Sequence, residues 1–254
     1  REVGGRRLEG VELLEPLGVD LLPDDADALG QARVDREEAR DVMRVARLGG
    51  GRVILGGVEG RRLGESGADH LVDVREPLAY AAGHMQGAVC LPVGMIPAFA
   101  GWFISEGDTI ALIASEEDEL AQAMAHLVRI GLDNIVGGYV GVIPAAAQGK
   151  AMQSIAMIDT EEVARRLAED SEDWTLLDVR ALDERQQGSI DESEHVYVGE
   201  LNTRWKELDR DRQYTLMCAS GMRASVAAGW LASQGFKHLD VYLGSMGAWT
   251  NAQG

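Results

Sequence analysis

The feature that most limits what this chain can fold into is an internal repeat. His70-Leu71-Val72-Asp73-Val74-Arg75 is echoed by Thr175-Leu176-Leu177-Asp178-Val179-Arg180, each an apolar strand run ending in Asp-Val-Arg. Ile110-Ala111-Leu112-Ile113-Ala114 is echoed by Tyr214-Thr215-Leu216-Met217-Cys218, and Leu127-Val128-Arg129-Ile130-Gly131-Leu132 by Leu231-Ala232-Ser233-Gln234-Gly235-Phe236. Each copy then leads to a further strand and a glycine turn, near Gly141 and Gly244. A period of roughly a hundred residues is the size of a domain, not of a solenoid unit. Strand runs alternating with helical stretches imply an α/β fold, in which each copy is a mainly parallel sheet with helices on both faces. The reading is therefore an extension over 1–33, a first domain over 34–146, a link over 147–153 and a second domain over 154–254. Pro16, Pro23 and the run Asp24-Asp25-Ala26-Asp27 make the extension read as extended chain. The first domain opens with an expected helix over 34–43, where Asp35 and Glu38 have capping-box spacing and Val34, Val42 and Val45 form an apolar side. Ile158-Asp159-Thr160-Glu161-Glu162 repeats that start in the second copy. The Gly- and Arg-rich stretch over 49–68 has no counterpart there and predicts a loop or an additional hairpin.

Chemistry is concentrated in Cys218-Ala219-Ser220-Gly221-Met222-Arg223-Ala224. Thr215-Leu216-Met217 reads as a short strand, and 224–234 as a helix stopped by Gly235. Cys218 thus falls at the carboxyl end of a strand and just before a helix N-terminus, where open α/β sheets bind ligands. Gly221 lets the loop close, and Arg223 adds a fixed positive charge. A loop curled round the sulfur would aim backbone N–H groups at it, and with the helix dipole these favour an anion at their focus. The expectation is a thiol that ionises readily, and the thiolate is the nucleophile.

Cys-x-x-Gly-x-Arg-Ala between a strand and a helix resembles the active loop of the rhodanese sulfurtransferases. The resemblance covers most of the chain after the first thirty or so residues and implies two tandem rhodanese-like domains. It also implies a function: Cys218 takes a sulfane sulfur from thiosulfate or a persulfide, holds it as a persulfide, and passes it to a thiol or cyanide acceptor. The loop residues 219–224 would bind the sulfur. In the family an Asp-x-Arg pair, here Asp178 and Arg180, commonly braces the pocket; a purely structural ion pair is the competing reading, favoured because Asp73 and Arg75 recur in the first copy. The six-residue ring from Cys218 to Arg223 is the sulfur-handling length. The related dual-specificity phosphatases use Cys-x5-Arg, one residue longer, so a Cys-dependent phosphatase or arsenate reductase is a lesser alternative. Neutral Ala219 and Ser220 stand where thiosulfate-specific members often carry basic residues, so a persulfide or protein donor is as plausible as thiosulfate. Arg223 either holds the anionic tail of a donor or closes the loop through a salt bridge.

The first copy departs from this pattern. Its loop reads Ala114-Ser115-Glu116-Glu117-Asp118-Glu119, with alanine at the cysteine position and Glu119 at the arginine position. Carboxylates there repel anionic sulfur, and Ser115 has no nearby base in sequence. The first copy therefore reads as catalytically silent, with a structural or partner-binding role. Its Gly83-His84-Met85-Gln86-Gly87-Ala88 resembles the family's Gly-His-x-x-Gly-Ala turn, a structural element; Gly188-Ser189-Ile190-Asp191-Glu192-Ser193 of the second copy departs from it. Cys90 sits in an apolar run and reads as core. His195 and His238 are surface or satisfied groups, Trp249 is core, and Trp102 falls at a domain interface. If both copies only bind, the chain is a non-catalytic regulatory module.

The net charge of -18 argues against a nucleic-acid partner. Two cysteines without paired spacing give neither a disulfide framework nor a zinc site, and no metal or other cofactor is expected. A free working thiol suits the reducing cytoplasm. No apolar run approaches the roughly 18 residues of a membrane span, and the charged start over 1–10 shows no signal-peptide pattern. The expected partners are small sulfur donors and acceptors, with room for a protein sulfur acceptor and a homodimer. The chain starts without Met, as an expression product or a piece of a longer protein does. Arg7-Leu8-Glu9-Gly10-Val11-Glu12-Leu13-Leu14 is similar to the joint in fusions where tandem rhodanese units follow a metallo-β-lactamase-like domain, although that domain's metal motif is not in this chain.

Overall fold

The computed structural model describes residues 43–48, 51–56, 68–147, 149–169 and 171–253. The extension over 1–33 and most of the expected helix over 34–43 lie outside these residues. In chain order the first part contains β1 (Met43–Leu48), β2 (Gly51–Gly56), β3 (His70–Asp73), α1 (Pro77–Ala82), β4 (His84–Met85), β5 (Ala88–Cys90), α2 (Ile96–Phe103), β6 (Ile110–Ala114), α3 (Glu117–Arg129), β7 (Ile135–Val140) and α4 (Ile143–Ala147). The second contains β8 (Met152–Gln153), β9 (Ala156–Ile158), α5 (Thr160–Glu169), β10 (Trp174–Asp178), α6 (Leu182–Gln187), β11 (Glu194–His195), α7 (Leu201–Arg204), β12 (Gln213–Met217), α8 (Met222–Ser233), β13 (Leu239–Tyr242) and α9 (Ser245–Gln253).

The repeat reappears as topology. One sheet has the order β1-β2-β7-β6-β3-β5 and the other β11-β10-β12-β13-β9. Both share a parallel block in the same relative order, β5-β3-β6-β7 and β11-β10-β12-β13. They differ at the edge beyond the last shared strand. There β13 takes β9 in parallel, whereas β7 takes β2 antiparallel, with β2 in turn paired to β1. The extra hairpin is therefore real, but half of it precedes the stretch expected to hold it. Met43 and Val45, placed on a helix by the sequence reading, lie in strand β1 instead. The physical reason is pairing: Met43 through Leu48 run in register against Gly56 through Gly51.

The second sheet is covered on both faces, and the alternation of its strands shows it. Leu176, Met217 and Tyr242 pack with Val163 of α5 and with Met246 and Trp249 of α9. Their neighbours Leu177, Leu216 and Val241 belong to the opposite cluster, with Val226, Ala227 and Leu231 of α8. That larger cluster runs on without a break into the first part, through Val72, Cys90, Leu112 and Phe103.

Helix α8 is the bridge. Residues 224–231 are all buried, as expected of a helix apolar around its whole circumference. One side lies on its own sheet; another meets β5, where a Cβ added to Gly229 would stand 2.5 Å from the Cys90 Cβ and 2.6 Å from its backbone nitrogen. The Phe103 and Trp230 rings lie 4.8 Å apart across the same contact, and Trp102 meets Tyr197 edge-on at 6.3 Å. Trp102 thus sits between the two halves, as expected. Gly229→Ala overfills this contact against backbone, which has no rotamer to yield; it is expected to cost about 1–3 kcal/mol, read as a lower urea midpoint with an unchanged m-value.

The segment between the two sheets is also ordered. β8 pairs antiparallel with β4, and the Ile155 N–H donates to the Ala81 carbonyl at 3.0 Å. Beneath this pairing lies His84, fully buried and stacked on Tyr80 at 3.8 Å. Nδ1 lies 3.0 Å from the Tyr80 carbonyl, so it carries the proton. Nε2 is buried with no hydrogen-bond partner among the described residues. Burial lowers the His84 pKa from its ordinary 6.5. A depressed pKa means that the unfolded chain binds the proton more readily. The contribution to stability is therefore full above 6.5 and is lost as pH falls through the lower folded value. His84→Phe keeps a stacked ring without a titrating group. Between about pH 7 and 5 its unfolding free energy is expected to fall less steeply than that of the unaltered protein, measured by urea titration.

Candidate active site

Strand β12 delivers Cys218 to the carboxyl edge of the second sheet, and three residues then turn the chain into α8. Gly221 makes that turn at φ +102°, the left-handed region, which favours glycine. Its N–H returns to the Cys218 Sγ at 3.1 Å. Helix α8 begins at Met222, and its first intrahelical bond runs from the Ser225 N–H to the Gly221 carbonyl at 2.9 Å. The N–H groups of 222–224 are thus the first-turn donors for which a helix has no internal acceptor. Cys218 is 1% exposed.

The loop is tied down from behind by the start of α9. The Cys218 N–H donates to the Ser245 Oγ at 3.1 Å, and that hydroxyl donates to the Tyr242 carbonyl at 2.7 Å. The Cys218 carbonyl accepts from Met246 N–H at 3.0 Å, and the Ala219 carbonyl from Gly247 N–H at 2.9 Å. Ser245 does this from φ +50°, in the left-handed region without being glycine, a conformation that persists only where surrounding bonds fix it. Sequence reasoning missed Ser245; the Gly244 turn marked the place but not the hydroxyl's task.

Sequence reasoning also missed Glu184, on α6. Its carboxylate binds Arg223 through both terminal nitrogens, at 2.5 and 2.7 Å, and its Oε2 also accepts from the Ala181 N–H at 3.2 Å. The Arg223 hydrogen bonds hold the Glu184 carboxyl below its ordinary range, and the same pairing raises the guanidinium's pKa. The available signal was Glu184 six residues after Asp178, on the next helix, but no spacing rule on one helix links it to Arg223. Behind this pair, Asp178 and Arg180 form a second one. The Asp178 carboxylate takes the Arg180 backbone N–H at 3.0 Å, its Nε at 3.0 Å and its Nη2 at 2.7 Å. Nη2 also donates to the Gly188 carbonyl at 2.9 Å. Asp178 lies opposite Met217 in the parallel ladder, so the buried pair stands beside the root of the Cys218 loop. His195 is satisfied by the Arg180 carbonyl, at 2.7 Å from Nε2.

The first half repeats the brace without the cysteine. Arg75 binds Asp73 at 2.6 Å and the Gly83 carbonyl at 2.8 Å. The strand ends in buried Ala114, and the Glu119 carboxylate accepts from the Ser115 N–H at 2.5 Å. A carboxylate of the loop itself thus takes a backbone donor there. Cys90 is fully buried against α8, and burial pushes its thiol well above the ordinary value.

Two mainly parallel α/β halves, each with a loop between a central strand and the following helix and with a cysteine in the second loop alone, define a tandem α/β class of protein. The comparisons agree with that class. The rhodanese-like domain family matches residues 59–144 and again 159–252, and the chain belongs to that family. It is 35% identical over 95 residues to a putative sulfurtransferase, YtwF, of Bacillus subtilis (strain 168), a match covering 37% of this chain and 90% of that one. It is 34% identical over 92 residues to a sulfurtransferase of Allochromatium vinosum, covering 36% and 85%. A putative sulfur carrier protein, YrkF, of Bacillus subtilis (strain 168) is 32% identical over 97 residues, covering 38% and 52%. Among the described residues no helix is long and apolar enough to cross a membrane.

Proposed function

We propose that the chain is a sulfurtransferase in which Cys218 carries the sulfur. The observation that supports this most directly is the Gly221 N–H directed at Sγ from 3.1 Å, at the foot of a helix N-terminus. Both features favour negative charge at that point. In the first half-reaction the Cys218 thiolate attacks the outer sulfur of thiosulfate or of a persulfide. One S–S bond forms, the donor's S–S bond breaks, and sulfite or a thiolate leaves with the electron pair. The enzyme persulfide keeps its charge at the loop, where the first-turn N–H groups of 222–224 are placed to receive it. A thiolate or cyanide then attacks the outer sulfur and returns Cys218 as thiolate. Near-complete burial of Cys218 keeps bulk water from the persulfide. A thiol used in this way needs reducing surroundings, which the cytoplasm provides.

The silent half supports this reading as a partner in packing, since it supplies Cys90 and Phe103 to the flank of α8. The test is an intact mass spectrum after incubation with thiosulfate or a low-molecular-weight persulfide. One added sulfur atom, released by cyanide, is the expected result; an unaltered mass with both donors removes the proposal.

A further inference from the structure

The cations around the Cys218 loop are already engaged. Arg223 gives both terminal nitrogens to Glu184. Arg180 is held by Asp178 and the Gly188 carbonyl. Arg185 donates to the carbonyls of Ser193 and Glu194 and lies 3.9 Å from Asp178. The exposed residues of the loop itself are uncharged. Ala219 and Ser220 are exposed. Leu182, which opens the helix carrying Glu184, is 60% exposed, Met222 36% and Leu243 48%; Leu243 stands beside Gly221.

From this arrangement we infer that Glu184 is a specificity-determining residue, which by occupying Arg223 disfavours highly charged sulfur donors at Cys218 and favours donors of low charge with apolar bodies. The inference rests on the sulfurtransferase reading. A dianion such as thiosulfate must either displace the Glu184 carboxylate from Arg223 or dock with its charge uncompensated, and both cost free energy. A donor with a single charge and an apolar group meets Met222 and Leu243 and loses less. The chemistry at sulfur is the same for both: Cys218 forms the new S–S bond, and the donor's S–S bond breaks to release sulfite from thiosulfate or sulfinate from a thiosulfonate.

The experiment compares thiosulfate, a dianion, with benzenethiosulfonate, an aromatic monoanion, using cyanide as acceptor. In the unaltered protein benzenethiosulfonate is expected to have the higher kcat/KM. Glu184→Gln frees Arg223 and is expected to shift the ratio toward thiosulfate by roughly tenfold, about 1.4 kcal/mol, which lies between the strength of one close charge pair in water and that near a protein surface. Most of that shift should lie in KM. Added salt should raise the thiosulfate rate of the unaltered protein and lower that of Glu184→Gln. Glu184→Asp, which keeps the charge, should leave the ratio near its original value even if turnover falls. A Glu184→Gln ratio unchanged, with both donors slowed equally, assigns Glu184 to loop support alone and overturns the inference. Failure of both donors to place sulfur on Cys218 of the unaltered protein would instead remove the sulfurtransferase reading itself.

Discussion

Cys218→Ser is expected to end sulfur transfer. Serine hydroxyl does not ionise at neutral pH, and it offers no sulfur with which to form a persulfide. Loss of the nucleophile in other covalent enzymes costs on the order of 10⁴-fold or more, and the same scale is expected here in thiosulfate:cyanide turnover. The mass spectrum after donor treatment should show no added sulfur. The fold should survive, because the substituted hydroxyl still lies within reach of the Gly221 N–H that now meets Sγ, and circular dichroism checks this. Cys90→Ala is the matched control. That thiol is buried and its pKa is pushed up by burial, so its removal should leave both the adduct and the turnover intact. Equal activity of the protein with and without the Cys218 sulfur would contradict the mechanism outright.

The largest expected effect on stability comes from Asp178→Ala. The carboxylate is fully buried and its partner Arg180 nearly so. Removing it leaves a nearly buried guanidinium without the carboxylate that binds it, hydrogen-bonded among the described residues only to the carbonyls of Gly188 and Glu184. Breaking a buried pair from one side costs about 3–5 kcal/mol, enough to unfold a marginal domain. Asp73→Ala in the first half strands Arg75 in the same way and should cost a similar amount. The comparison separates two roles for the motif. If the two substitutions cost the same in urea denaturation, the Asp-x-Arg pair is a device of the fold. If Asp178→Ala remains folded yet loses turnover far beyond Asp73→Ala, the pair acts on the sulfur site.

Much of the architecture was legible because the repeat is carried by buried strands. Asp-Val-Arg closes both β3 and β10 with the same hydrogen bonds, so an identical local sequence produced an identical local structure. The Cys218 loop could be placed for the same reason: Gly221 and the small residues of α8 leave few other ways to leave β12. What the sequence concealed depends on distant partners. Val45 sits in a strand because β2 pairs with β1 and then with β7, and helical periodicity over 34–45 cannot register a pairing with residues near 138. Glu184 and Ser245 act on the loop from 39 and 27 residues away, and neither sits in a pattern that names its target. The sequence reading expected several amides around the sulfur. In the structure the Gly221 N–H makes that bond, while Cys218's own N–H is spent on Ser245.

The pairing of β8 with β4 also has a mechanical meaning. The tether between the two sheets is fastened to one of the bodies it joins, and after Gln153 only Ser154 and Ile155 remain before β9 begins, with Ile155 itself tied back to Ala81. There is no slack for a swivel. Cutting the tandem at this point would leave β4 of one body without its pairing partner and bare the flank of α8 on the other, so the pieces would behave as sticky fragments, not as two beads released from a string.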